Sequence, residues 1–243
     1  MSRKKAGDPA GPREHIPADP FEDIRELYDQ FNATVTNLDC GRKCAPLNPN
    51  GKPFCCDICH AVPAVYAAEW NYLQKSTDLW HPWRGDECVH PEDTTHLQAE
   101  TPEAMILLAC KGPAYCQRDY RALSCRQFPF FPYVTEDYRF LGLTYEWEFE
   151  GCCWVISNLS RATQTYRRRF VELHDVLFAQ RQEVFDSHAI HSEHMRVIYA
   201  GKHRRIPLLH RNGGFYLISP GDGRIRRISP DRLPRFGPYR LEE

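Results

Sequence analysis

The stretch CGRKCAPLNPNGKPFCCDIC, from Cys40 to Cys59, holds five of the eleven cysteines of the chain. Cys110, Cys116 and Cys125 form a second group, Cys152 and Cys153 a third, and Cys88 stands apart. Thiols at this density serve as disulfides, as metal ligands or as reactive nucleophiles. Disulfides are the poorest fit. The count is odd, and 243 residues can bury a core without covalent staples. The N-terminus MSRKKAGDPAGPREHIPADP also lacks the apolar region and cleavage site of a secretory leader, so a cytoplasmic protein with reduced thiols is the expectation.

A nucleophilic thiol needs a neighbouring cation or base to raise its thiolate fraction. Cys59-His60 and Cys125-Arg126 place one beside a sulfur, but residues adjacent in sequence usually point apart. Metal ligation fits the spacing better. Cys40-x3-Cys44, Cys56-x2-Cys59 and Cys110-x5-Cys116-x8-Cys125 lie in turn-rich segments, where two sulfurs can converge on one ion. Arg42, Lys43, Lys52, Lys111, Arg118, Arg121 and Arg126 lie in or beside these loops, against Asp57 and Asp119, and are placed to offset thiolate charge. Two histidine groups are further candidate ligands. His188, His191 and His194 form one. His81, His90 and His96, with Cys88, Asp86, Glu87, Glu92 and Asp93, form an acidic loop able to hold a divalent ion or a mixed-ligand zinc; a solvated loop is the stronger reading there.

Cys40-x3-Cys44, then Cys55-Cys56, a helix carrying Glu69, and Cys110…Cys116…Cys125-Arg126-Gln127-Phe128-Pro129 resemble the YkgJ-type CxxCxxCC family of zinc- or iron-chelating proteins, over roughly residues 38 to 153. The resemblance implies eight metal ligands: Cys40, Cys44, Cys55, Cys56, Cys110, Cys116, Cys125 and Cys152. It implies an iron–sulfur cluster or zinc as cofactor, with a lean toward iron–sulfur, and metal-dependent redox or protein-modifying activity on an unknown substrate. This chain departs from the family pattern in the long spacer APLNPNGKPF before Cys55-Cys56, in Arg121-Ala122 where Arg-Pro is usual, and in the extra Cys59, Cys88 and Cys153. Adjacent cysteines rarely ligate one ion together, so Cys55 and Cys56 are candidates to serve different centres.

The elements that must hold these residues read as α+β: cysteine-rich loops among short helices and a β-hairpin, then a long amphipathic helix and a small β-meander. Residues 1 to 18 have the composition of a disordered tail. Residues 19 to 157 form the cysteine-cluster domain and 158 to 243 a helical segment with a basic meander packed on it. Ile24, Leu27, Tyr28, Phe31, Val35 and Leu38 recur at helical spacing, and Gly41 to Pro53 is loop. A second helix is predicted from Pro63, and a short one, AMILLA, runs into Cys110 behind the cap Thr101-Pro102-Glu103. FPFFPYVT and YRFLGLTYEWEF read as a hairpin turning at Glu136-Asp137. A long helix is predicted from 158 to 187, a shorter one over 191 to 200, and a three-stranded meander around Asn212-Gly213-Gly214 and Gly221-Asp222-Gly223.

The longest apolar run, Ala104 to Cys110, cannot span a bilayer. No G-x-G-x-x-G, P-loop, H-E-x-x-H or G-x-S-x-G motif is present, so dinucleotide, nucleotide and the commonest hydrolase chemistries lack their signatures. From Arg196 to Arg240 eleven Lys and Arg face only Asp222 and Asp231. The alternative to a metal enzyme is therefore a zinc-stabilised module that binds a protein or nucleic-acid partner through this basic end; the nucleic-acid signal is weak and no membrane role is indicated.

Overall fold

The computed structural model describes residues 24–87, 97–99, 101–102 and 105–239. The expected tail and Cys88, His90, His96, Glu92 and Asp93 of the acidic loop lie outside them. Three antiparallel strands, β1 (Ala64–Tyr66), β2 (Trp80–Pro82) and β3 (Met105–Cys110), form one sheet in the order β1-β3-β2. A second, five-stranded sheet runs β4 (Phe130–Val134), β5 (Phe140–Tyr145), β6 (Ile206–His210), β7 (Phe215–Ile218) and β8 (Ile225–Ile228) in simple sequence order. The helices are α1 (Ile24–Gln30), the single turn α2 (Gly41–Cys44), α3 (Ala67–Ser76), α4 (Leu123–Gln127), α5 (Gln164–Gln180) and α6 (Gln182–Gly201).

The predicted hairpin and meander are present, and they share a sheet. β5 pairs with β6 through Gly142 opposite His210 and Leu143 opposite Leu209, so strands from both sides of residue 157 are continuous. The helix over AMILLA is corrected to a strand. Met105–Cys110 lies between β1 and β2 with partners on both edges, and an apolar run of six residues carries no period that separates a buried strand from a helix. The helix from Pro63 starts instead at Ala67, after β1. The long helix is two: α5 is capped by the Thr163 hydroxyl, which accepts from the Tyr166 N–H, and the chain breaks at Arg181 (φ −140°) before α6 absorbs the shorter predicted helix. The Gly41–Pro53 loop contains a turn of helix, α2, and α1 ends well before Leu38, which is exposed.

One core unites these parts. Ile24, Leu27, Tyr28 and Phe31 of α1 and the residue after it pack with Leu73 of α3, Val155, Ile156, and Tyr166, Phe170 and Leu173 of α5. A smaller cluster, centred on Phe131, Tyr133, Met195, Tyr199 and Leu208, joins α6 to the five-stranded sheet. Among the described residues, no helix is long and apolar enough to cross a membrane.

Candidate metal centre

Nine described cysteines are free thiols: Cys40, Cys44, Cys55, Cys56, Cys110, Cys116, Cys125, Cys152 and Cys153. Cys59 is disulfide-bonded, which corrects the expectation that every thiol is reduced. Its neighbour His60 turns to Asp57, 3.9 Å away, and to the edge of the Phe54 ring, so the two make no nucleophile–base pair.

Eight of the nine thiols fall into two adjoining groups, and Cys152 stands outside both. Cys40 precedes α2 and Cys44 ends it, a spacing of four that puts both on one face of the turn. With Cys55 and Cys153 they line a cavity of about 40 Å³, closed by Val35, Phe54, Phe128 and Trp154. Burial raises the Cys40 and Cys44 thiols, and it pushes Cys153 far above the ordinary thiol range. The second group comprises Cys56, Cys110, Cys116 and Cys125. Cys110 ends β3 opposite Trp80, Cys116 follows the turn Pro113–Tyr115, and Cys125 sits in α4. Cys110 interacts electrostatically with Cys56 and Cys116, and Cys125 with Cys110 and Cys56.

The adjacent pair is the junction. The sulfurs of Cys55 and Cys56 are 3.9 Å apart; Cys55 faces Cys153 and Cys40, while Cys56 faces Arg121 and lies within electrostatic reach of Cys44 as well as of Cys110 and Cys125. Sharing a hydrogen bond between them lowers Cys56 to about 7, with Arg121 adding to the effect, and the same bond and burial raise Cys55 well above its usual value. Cys152, the downstream ligand implied by the family resemblance, points its Sγ at the Phe149 carbonyl (3.6 Å), and it is Cys153 that lines the cavity. Among the described residues, no three His, Cys, Asp or Glu side chains converge closely enough to hold a single metal ion.

The long spacer before Cys55 is folded by Asp57. This carboxylate is 1% exposed and accepts from Asn48 Nδ2 (2.9 Å), Asn50 Nδ2 (2.8 Å) and the Cys59 N–H (3.2 Å). Burial would raise its pKa, but the Asn50 and Asn48 hydrogen bonds outweigh that and hold it below the usual range. At the other end, Gly41 lets Pro53 close over α2: a Cβ there would stand 2.9 Å from Pro53 Cγ. The extra residues thus make a folded flap that returns Cys55 to Cys40 and Cys44.

The neighbouring cations divide by role. Arg121 Nε donates to Cys116 Sγ at 3.1 Å and faces Cys56 and Cys125, and Lys52 favours the Cys110 thiolate. Arg42 pairs with Asp39 and Lys111 with Asp78. Arg126 turns away from Cys125. Its guanidinium stacks 4.2 Å over Tyr28 and donates to the carbonyls of Phe31 (3.1 Å), Asp119 (2.8 Å) and Arg121 (2.9 Å), tying the 118–121 segment to α1. With Cys125 half-buried and its thiol raised by desolvation, this pair also lacks the makings of a nucleophile. Glu69, buried in α3, accepts from Tyr28 Oη (2.7 Å) and from the Leu123 N–H (2.6 Å) at the start of α4, and so fixes the helix that carries Cys125. Burial lifts Glu69 to about 7.

Among the described residues, neither expected histidine group assembles into a ligand set. His188 is half-buried against His174 and Phe178 of α5, His191 bonds Glu146 at 2.9 Å and His194 is exposed, all on α6; His81 bonds Glu87 at 2.9 Å. The C-terminal segment reaches the thiols instead. Tyr239 Oη donates to the Cys152 carbonyl (3.2 Å), and Gly237 (φ +52°) passes so close to Gly151 that a Cβ would meet its carbonyl oxygen at 2.6 Å. Sequence reasoning missed this contact because Gly237 and Gly151 lie in unremarkable turns far apart in the chain.

The class these features define is an α+β protein with nine free described cysteines, two buried and seven half-buried. No protein-family model, no curated protein and no solved structure matches the chain.

Proposed function

We propose that the protein is a thiolate-ligated metalloprotein of the YkgJ-like kind whose thiols serve two centres: Cys40, Cys44, Cys55 and Cys153 at one, Cys56, Cys110, Cys116 and Cys125 at the other. The observation that carries this reading is that Cys55 lines the cavity with Cys40, Cys44 and Cys153, while its neighbour Cys56 faces Arg121 and interacts with Cys110 and Cys125. The donor set fits soft metals, since both groups are built from sulfur alone. Iron–sulfur clusters are favoured over zinc. Zinc takes the same thiolate donors, so the preference for iron–sulfur rests on the family resemblance. When bound, such clusters supply one-electron transfer. The chain's own residues exclude water through Phe54, Phe128 and Trp154, orient Cys125 through Glu69, and offset thiolate charge through Arg121 and Lys52.

Anaerobic purification followed by iron, zinc and sulfide analysis and a visible spectrum tests the proposal. Two four-iron clusters require about eight irons per chain and broad thiolate-to-iron absorption. Cys55→Ser and Cys56→Ser should each remove roughly half the iron, and Cys153→Ser should act like Cys55→Ser while Cys152→Ser retains iron. Colourless, zinc-loaded protein would overturn the cluster assignment, and folded protein with neither metal would overturn metal binding altogether.

A further inference from the structure

We infer that the outer edge of β8 is a docking site for an extended acidic segment of another protein, which adds a sixth strand to the sheet. β8 ends the strand order, and no described strand pairs with its outer side. Ser219 N–H bonds the Arg224 carbonyl (2.9 Å), and the register then pairs Ile218 with Ile225 and Tyr216 with Arg227. In antiparallel alternation these are the positions whose backbone N–H and C=O point away from β7, so Ile225 and Arg227 present a donor and an acceptor each to the free edge. Ile225 is 39% exposed, an apolar side chain on an open edge with arginine on either side.

The charge selects the partner. Arg226, Arg227, Arg232 and Arg235 are exposed and make no ion pair among the described residues, whereas Asp222 is already paired with Arg224. A second copy of this strand would set arginine against arginine, which is unfavourable directly across a ladder. An acidic strand instead satisfies edge and charge together. Single-stranded nucleic acid would need open aromatic faces for stacking. Here the Phe215 ring lies under the Arg167 guanidinium at 4.8 Å, Tyr216 packs on His210 at 5.0 Å, and Phe236 is buried beneath Arg204.

Fluorescence anisotropy with the full chain tests this, using a labelled peptide of alternating Glu and Thr, about ten residues long to span one edge strand. Saturable binding that weakens with salt is expected, with a loss of roughly tenfold or more in the Arg226→Glu/Arg227→Glu variant. Ile225→Pro deletes an outward N–H without touching charge and should weaken binding where Ile225→Val does not. The peptide N-methylated at alternate residues supplies the same test without altering the protein, since one of its two methylation phases should abolish binding. Equal binding by both N-methylated phases and the parent peptide, no binding by the parent at low salt, or tighter binding of a single-stranded oligonucleotide of matched length would each overturn the inference.

Discussion

Glu69 illustrates how much of the centre depends on one side chain that is not itself a ligand. Its Oε1 accepts from both the Tyr28 hydroxyl and the first N–H of α4, and because Glu69 is 1% exposed, removing the carboxylate leaves both donors buried without their acceptor. Leaving a buried donor unpaired costs about 1–3 kcal/mol, so Glu69→Ala should lower unfolding stability by roughly 3 kcal/mol, read as a shifted urea midpoint at unchanged slope. Glu69→Gln keeps an acceptor oxygen and should lose about 1 kcal/mol. An alanine variant as stable as the parent would show that α4 is fixed by other contacts. The candidate ligands were legible from residue type and spacing, but Glu69's partners were not: Tyr28 and Leu123 lie 41 and 54 residues away, and no local pattern links them. The same limit explains Arg126. Its place beside Cys125 suggests charge compensation, whereas tertiary structure spends its donors on backbone carbonyls.

Helices α5 and α6 meet over a titratable core. His174 donates Nδ1–H to the Phe170 carbonyl (2.8 Å), its Nε2 is buried without a partner, and Phe140, Phe170, Phe178 and His188 surround the ring. Burial lowers His174 from 6.5 to about 4 and lowers His188 well below its usual value. Both are neutral in the fold and take up protons once unfolded, so stability is intact above about pH 6.5 and falls as the pH drops toward 4. His174 alone accounts for about 3 kcal/mol of that loss, at 1.4 kcal/mol per pKa unit. His191 works in the opposite sense. Burial would lower it, but Glu146 raises it, so its contribution is present at low pH and lost as pH rises through its folded pKa. Urea titrations from pH 7 to 4 should therefore show a steep acid loss that His174→Phe flattens and Glu146→Gln steepens; an unchanged slope in His174→Phe would refute it. At this scale the sequence was informative wherever periodicity ran long. The hairpin, the meander and the apolar stripe of α5 all show it, while AMILLA and the residues after Pro63 were too short for their period to outvote a plausible cap.

Across the whole molecule, the cysteine region and the C-terminal half are one folding unit. β5 needs β6 on its inner edge, and Glu150, two residues before Cys152, is held by a bidentate Arg204 (2.7 Å to each oxygen) and by Tyr199 and Tyr145 hydroxyls. Tyr166, Phe170, Leu173 and Leu177 of α5 are at most 2% exposed in the core that also holds α1 and Val155. Burying four such side chains contributes on the order of 10 kcal/mol, which equals the entire net stability of an ordinary domain. Residues 1–157 alone, though they contain every candidate ligand, should therefore fail to fold. Far-ultraviolet circular dichroism of that fragment should show an unfolded chain, and its thiols should react at once with a disulfide reagent, whereas Cys40, Cys44, Cys55 and Cys153 of the full protein react slowly behind Phe54, Phe128 and Trp154. A cooperative melt in the fragment would mean that the thiol loops organise themselves, and that α5, α6 and the meander serve the basic edge of β8 and not the centre.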